Sequence, residues 1–158
     1  KIFCPGFRIG WIIAHTDILD KFVQAKQTAD LCTSSYLQKI AAKYLETGMF
    51  EKNLSGIISE YKEKKEHMIR NFEKYMPEGV TWTNPEGGLF LFMYLPEHLD
   101  AGKLFFKAVE KKVAFVQGDV FHCDGTGKNT MRINFSFVDK ETNTEGVKRL
   151  AAVIKEAM

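Results

Sequence analysis

Lys1-Ile2-Phe3-Cys4-Pro5-Gly6-Phe7-Arg8-Ile9-Gly10-Trp11 opens the chain and sets an amine and a guanidinium seven positions apart. Proline fixes φ and glycine permits positive φ, so Pro5-Gly6 predicts a tight turn between the two cations. Such a turn can bring Lys1 and Arg8 back toward one pocket, as a covalent amine site beside an anion clamp. The apolar run that follows, Ile9 to Ala14, predicts a short buried strand, with Arg8 where the loop enters it.

The rest of the chain bounds what this opening can belong to. Its 158 residues are 45% apolar and 13% aromatic, enough for the core of a domain of ordinary size. A formal charge of +2 with no basic run gives no sign of nucleic-acid binding. No apolar stretch reaches membrane-spanning length and no signal peptide is evident. Cys4, Cys32 and Cys123 are odd in number and far apart, which suggests neither a zinc site nor a disulfide framework. A reduced, cytoplasmic setting is the expectation. A chain that starts at Lys1 is expected to be a piece of something longer.

Downstream of Ala14, Thr16 is the expected N-cap of a helix with Asp17 in its first turn, its apolar face carrying Ile18, Leu19, Phe22, Val23 and Ala25. Ser35 and Gln38 suggest a capping box for a second helix, stopped by Gly48. Apolar residues from Leu54 to Met76 recur at helical spacing, so residues 50–75 predict one long amphipathic helix. The charged run Lys62 to Glu66 is its solvated face. Beyond Pro77 the pattern becomes strand (80–83), turn (84–88), strand (89–95), helix (101–112), strand (113–116), loop (117–129), strand (131–137) and helix from Asp139. Leu89 to Leu95 is almost wholly apolar and is expected to be covered on both faces. Met131, Ile133, Phe135 and Phe137 alternate with Arg132, Asn134 and Ser136, so the arginine falls on the polar face. Val147, Leu150, Ala151 and Ile154 form the stripe of the last helix. This order predicts an α+β sandwich with helices on one face of a small sheet.

Lys-x-x-x-Pro-Gly-x-Arg-x-Gly-Trp resembles the active-site segment of fold-type I, pyridoxal-phosphate-dependent class I/II aminotransferases, in the branch with aminoadipate and kynurenine aminotransferases. The resemblance runs to the C-terminus and implies an α/β architecture. Residues 1–48 would be the end of the large cofactor domain, 49–76 a bridging helix, and 77–158 the small α+β domain with its short, mostly antiparallel sheet covered by helices. It implies that the parent is roughly two- to three-fold longer. The cofactor would be pyridoxal 5'-phosphate, the substrates an amino acid (aminoadipate, aromatic or similar) and a 2-oxo acid such as 2-oxoglutarate, and the assembly a homodimer. Neither a metal, nucleic acid nor a membrane is expected as a partner.

By position in that motif, Lys1 is implied as the cofactor-tethering and proton-transferring amine, Arg8 as the ligand of the cofactor phosphate, and Arg132, in Arg-Ile-Asn-Phe-Ser, as the clamp for the substrate α-carboxylate. The chemistry suits the residue types. A lysine amine forms an imine only when unprotonated, and a guanidinium's planar fork matches phosphate and carboxylate oxygens. Read without the motif, Lys1 is a solvated terminal lysine, Arg8 a surface arginine and Arg132 the partner of an acid at the sheet edge. Asn134 and Ser136 share the face of Arg132. Gly87 and Gly88 answer a turn requirement. Gln117 stands where the family usually has proline, and His122 and Cys123 read as an ordinary loop pair. The family's phosphate cup, its ring-stacking aromatic and its pyridine-pairing aspartate lie upstream of this segment, so residues 1–158 alone are expected not to transaminate. An alternative resemblance is to the effector-sensing, aminotransferase-like domain of winged-helix transcription regulators, which retains the lysine.

Overall fold

In the computed structural model, which describes residues 3–158, five α-helices and four short strands follow one another. They are α1 (Thr16–Asp30), α2 (Ser35–Glu46), α3 (Met49–Tyr75), β1 (Thr81–Trp82), β2 (Phe90–Tyr94), α4 (Ala101–Glu110), β3 (Val116–Gln117), β4 (Thr130–Asn134) and α5 (Lys140–Lys155). The chain divides into two compact units between Ile58 and Ser59, within α3. Among the described residues, no helix is long and apolar enough to cross a membrane.

In the first unit the helices form where their spacing places them, but their caps lie one residue earlier than expected. His15, not Thr16, caps α1, its Nδ1 accepting from the Asp17 N–H at 3.4 Å. Ser34, not Ser35, caps α2, its Oγ accepting from the Leu37 N–H at 3.5 Å. That shift puts Gln38 out of capping-box position, and its amide donates instead to the Thr33 carbonyl at 2.9 Å. Gly48 follows α2 with φ +68, as the end of a helix commonly requires. Ile9 to Ala14 is not a strand. It has no partner for its backbone among the described residues, and Ile13 is 92% exposed. None of the residues of α1 and α2 is buried, so the apolar stripe of α1 (Ile18, Phe22, Val23) also lies open.

The second unit holds the core. Its sheet has the order β1-β2-β4-β3 and is antiparallel throughout. β1 and β2 form the expected hairpin, with Trp82 opposite Met93, and Gly88 takes φ +90 in the connection. Leu91, Met93, Met131 and Ile133 turn to one side and pack with Met68 and Phe72 of α3, Leu104 and Ala108 of α4, and Val147, Leu150, Val153 and Ile154 of α5. Full burial of each large side chain contributes roughly 1.5–3 kcal/mol. The helix starts are secured locally. Asp100 accepts from the Gly102 and Lys103 N–H groups, and Asp139 from that of Thr142. Lys64 and Lys65 of α3 donate to the carbonyls of Ser136 and Pro85, tying the helix to the end of the sheet where β4 finishes beside the β1–β2 turn, so the run Lys62 to Glu66 is not simply a solvated face.

Three further expectations for this unit change. β2 is not covered on both faces: Leu91 and Met93 are buried, while Phe90 and Tyr94 on the other side are exposed. The strand predicted at 113–116 forms later, at Val116–Gln117, because Lys111 and Val113 are still tied back to α4. β4 stops at Asn134 rather than Phe137. The Asn134 side chain accepts from the Ser136 N–H and hydroxyl, which bends the backbone out of the ladder and leaves Phe137 89% exposed.

Candidate functional site

Arg8 lies at the end of a 3-10 turn, Pro5–Phe7, in the left-handed region (φ 54, ψ 32). Its N–H donates to the Pro5 carbonyl at 3.3 Å. Left-handed backbone costs a non-glycine residue roughly 1–2 kcal/mol, so tertiary contacts must hold the turn. They come from Phe3 and Phe7, whose rings meet edge to face, and from Tyr44 of α2, stacked on Phe3 with centroids 4.1 Å apart. Tyr44 in turn packs against Phe50 and accepts from the Asn53 amide at its hydroxyl. Arg8 lines a depression of about 200 Å³ together with Cys4, Pro5, Ile9 and Gly10. A Cβ at Gly10 would meet nothing within 4 Å. Among the described residues no carboxylate is paired with Arg8. An exposed cation without a counter-ion beside an open depression fits a phosphate group. Lys1 lies outside the described residues.

Arg132 is half-buried at the middle of β4, opposite Phe92 of β2 on one side and Val116 of β3 on the other. It projects from the sheet face that the helices leave uncovered. That face is aromatic where the sequence suggested polar. The guanidinium carbon is 4.1 Å from the centre of the Phe90 ring and 4.7 Å from that of Phe121. Its Nε is buried and has no hydrogen-bond partner among the described residues. The acid at the sheet edge that would make this a structural ion pair is not found there, again among the described residues. Asn134 and Ser136 are occupied with each other and do not support it. A buried donor without an acceptor is costly, and a guanidinium between aromatic faces with its N–H edges unused suits an incoming carboxylate.

Phe90 and Phe121 were not legible as site residues. Period-2 alternation puts Phe90 and Phe92 on one face of β2, but only the register of β2 on β4 brings that face to Arg132. Phe121 comes from the loop between β3 and β4, where it ends a 3-10 turn, Asp119–Phe121. His122 is an ordinary loop residue, its Nδ1 3.1 Å from the Thr126 hydroxyl, which donates to Asp124. No group of three or more His, Cys, Asp or Glu that could hold a metal occurs among the described residues.

Comparison with known proteins agrees across the chain. The family model for aminotransferase class I and II matches residues 2–150. An aromatic-amino-acid aminotransferase 1 from Thermococcus litoralis is 48% identical over the whole chain, which corresponds to 38% of that protein. A Pyrococcus horikoshii kynurenine aminotransferase, solved in complex with PMP, KYN and KYA, is 44% identical with a TM-score of 0.92, over all of this chain and 39% of that one. A weaker likeness, 25% over the whole chain and 32% of the relative, is to the uncharacterized HTH-type transcriptional regulator YisV of Bacillus subtilis. The chain thus spans about two fifths of the length of the aminotransferases it matches.

Proposed function

The chain belongs to the class I and II aminotransferase family, and on that premise we propose that it is part of a pyridoxal-phosphate-dependent transaminase. The reaction would move an amino group between an aromatic, aminoadipate-like or similar amino acid and a 2-oxo acid such as 2-oxoglutarate. The observation that carries this reading is Arg132, a guanidinium with a buried, unpartnered Nε between two aromatic rings.

Pyridoxal phosphate, when bound, supplies an electron sink for the charge left at the substrate α-carbon. Lys1 would hold it covalently and, once released from it, Lys1 Nζ would accept the substrate Cα proton as base and return it as acid. Arg8 would hold the phosphate, a reading supported by its place on the open depression and by its having no paired carboxylate among the described residues. Arg132 would grip the α-carboxylate, orienting the Cα–H bond for Lys1. Residues 1–48 would be the end of the large domain, 49–76 the bridging helix and 77–158 the small domain. The full-length protein would act as a cytoplasmic homodimer.

The test is an absorbance spectrum of the full-length protein with added cofactor, then borohydride reduction and peptide mapping. The expected result is a visible cofactor band, fixed by reduction onto the peptide carrying Lys1 and lost when glutamate is added before reduction. Label on another lysine would overturn the Lys1 assignment. The likeness to YisV supports a second reading, an effector-sensing domain. A band that persists in glutamate would favour it.

A further inference from the structure

We propose that Phe121 is a positioning residue for Arg132. Its ring, delivered by the loop between β3 and β4, holds the guanidinium against Phe90 so that only the N–H edges are offered to a carboxylate. The inference rests on the reading of Arg132 as the α-carboxylate clamp and goes beyond it, since it assigns the clamp's precision to a loop side chain that acts through Arg132.

Phe90 sits in β2, opposite Asn134 in the ladder, so its place is set by the sheet. Phe121 is 48% exposed and in no strand, so its place must be set otherwise. The loop is tied at both ends. The Gly118 N–H donates to the Thr130 carbonyl at 2.9 Å, and the Thr130 N–H and hydroxyl both donate to the Gly127 carbonyl, at 3.0 and 2.6 Å. The Ala101 N–H donates to the Lys128 carbonyl at 2.8 Å. Within the loop, Thr126 links His122 and Asp124, and the Phe121 N–H returns to the Gly118 carbonyl. Phe121 also meets the Phe92 ring edge to face, 6.1 Å between centroids. An arginine side chain has many rotamers, and a clamp that must be ordered by its ligand binds more weakly than one ordered beforehand. Two ring faces on the guanidinium remove that freedom and attract the cation at the same time.

The experiment uses the full-length protein and four variants: Phe121→Leu, which keeps apolar bulk but loses the π face, Phe121→Tyr, which restores it, Phe90→Leu, and Arg132→Lys. The readouts are KM and kcat for the amino acid and the 2-oxo acid, cofactor affinity, and inhibition by a simple monocarboxylate. In Phe121→Leu we expect KM and the inhibition constant to rise together by about three- to tenfold, the range of a partly desolvated cation–π contact. Changes in kcat should stay under about twofold, as for binding lost equally in ground and transition states. Cofactor affinity should be unchanged and Phe121→Tyr should restore KM. Phe90→Leu should act in the same direction. If Phe121→Leu leaves KM unchanged while Arg132→Lys raises it strongly, the positioning role is overturned and the clamp stands. If Phe121→Leu weakens cofactor binding and Phe121→Tyr does not rescue, the role is merely structural and the proposal fails. If Arg132→Lys itself changes neither KM nor inhibition, the clamp reading falls and the positioning role with it.

Discussion

Gly118→Ala should damage the loop that carries Phe121 by an amount that follows from its surroundings. A Cβ added at Gly118 would lie 2.7 Å from the Thr130 carbonyl carbon and 2.8 Å from its Cβ, and closer still to its hydroxyl. Carbon atoms rest roughly 3.5–4.0 Å apart, so the clash is about 1 Å deep. Thr130 has little room to give. It is 3% exposed, its backbone pairs with Tyr94 in the ladder, and its hydroxyl is bound to the Gly127 carbonyl. Overpacking of this kind costs roughly 1–3 kcal/mol, and displacing the hydroxyl from its acceptor a further 1–3 kcal/mol or so, for a total of about 2–6 kcal/mol. That is a large share of a domain's usual stability of about 5–15 kcal/mol. Urea unfolding followed by circular dichroism would show a lower midpoint at similar slope. Amide exchange should quicken first between residues 118 and 130. Gly125→Ala serves as the contrast, because φ is +77 there but a Cβ would meet open space. It should cost only the backbone penalty of about 1 kcal/mol. If Gly118→Ala unfolds within about 0.5 kcal/mol of wild type, the size expected of neutral surface changes, the argument that Thr130 pins this loop is wrong.

Gly146→Ala should stabilise the chain by roughly 0.5–1 kcal/mol, since the position is inside α5 and a Cβ would touch nothing within 4 Å; a shift of the urea midpoint to higher concentration checks it. Phe72→Ala should cost about 3–5 kcal/mol, because Phe72 is fully buried and packs on Trp82 at 5.3 Å, and a loss under 1 kcal/mol would contradict its central place in the core. Acid should weaken the start of α5. The Thr142 hydroxyl, then the Thr142 N–H, hold the Asp139 carboxyl below its usual range, against a small opposing effect of desolvation and with a further contribution from Lys64. A depressed folded-state pKa means that this stabilisation is complete above the ordinary aspartate range and is lost as pH falls through the folded value. Stability measured from pH 6 down to pH 2 should therefore fall less steeply in Asp139→Asn than in wild type.

Local signals carried far in this chain, and where they failed the cause was non-local. The extents of α2 and α3, the hairpin around Gly88, the caps Asp100 and Asp139 and the stripe of α5 rest on residues a few positions apart, and the structure follows them. The caps of α1 and α2 lie one residue earlier because the side chains of His15 and Ser34 accept, at long range, from N–H groups of the first turn. Ile9 to Ala14 has the composition of a strand, but a strand needs a neighbour to pair with, and none of the described residues provides one. The apolar run of β2 predicts burial on both sides, whereas in this chain helices cover a single side.

The order of residues alone decided the family motif from Lys1 to Trp11, the class of fold, and the fact that Arg132 faces away from Met131 and Ile133, because each depends on spacing along one stretch. What surrounds Arg132 was decided only by the tertiary structure. Antiparallel pairing at one particular register brings Phe90 and Phe92 beside it from about forty residues away in sequence, and a loop closed by Thr130 brings Phe121. Alternation within a strand states which way a side chain points; the opposing strand and the returning loop determine what it meets there.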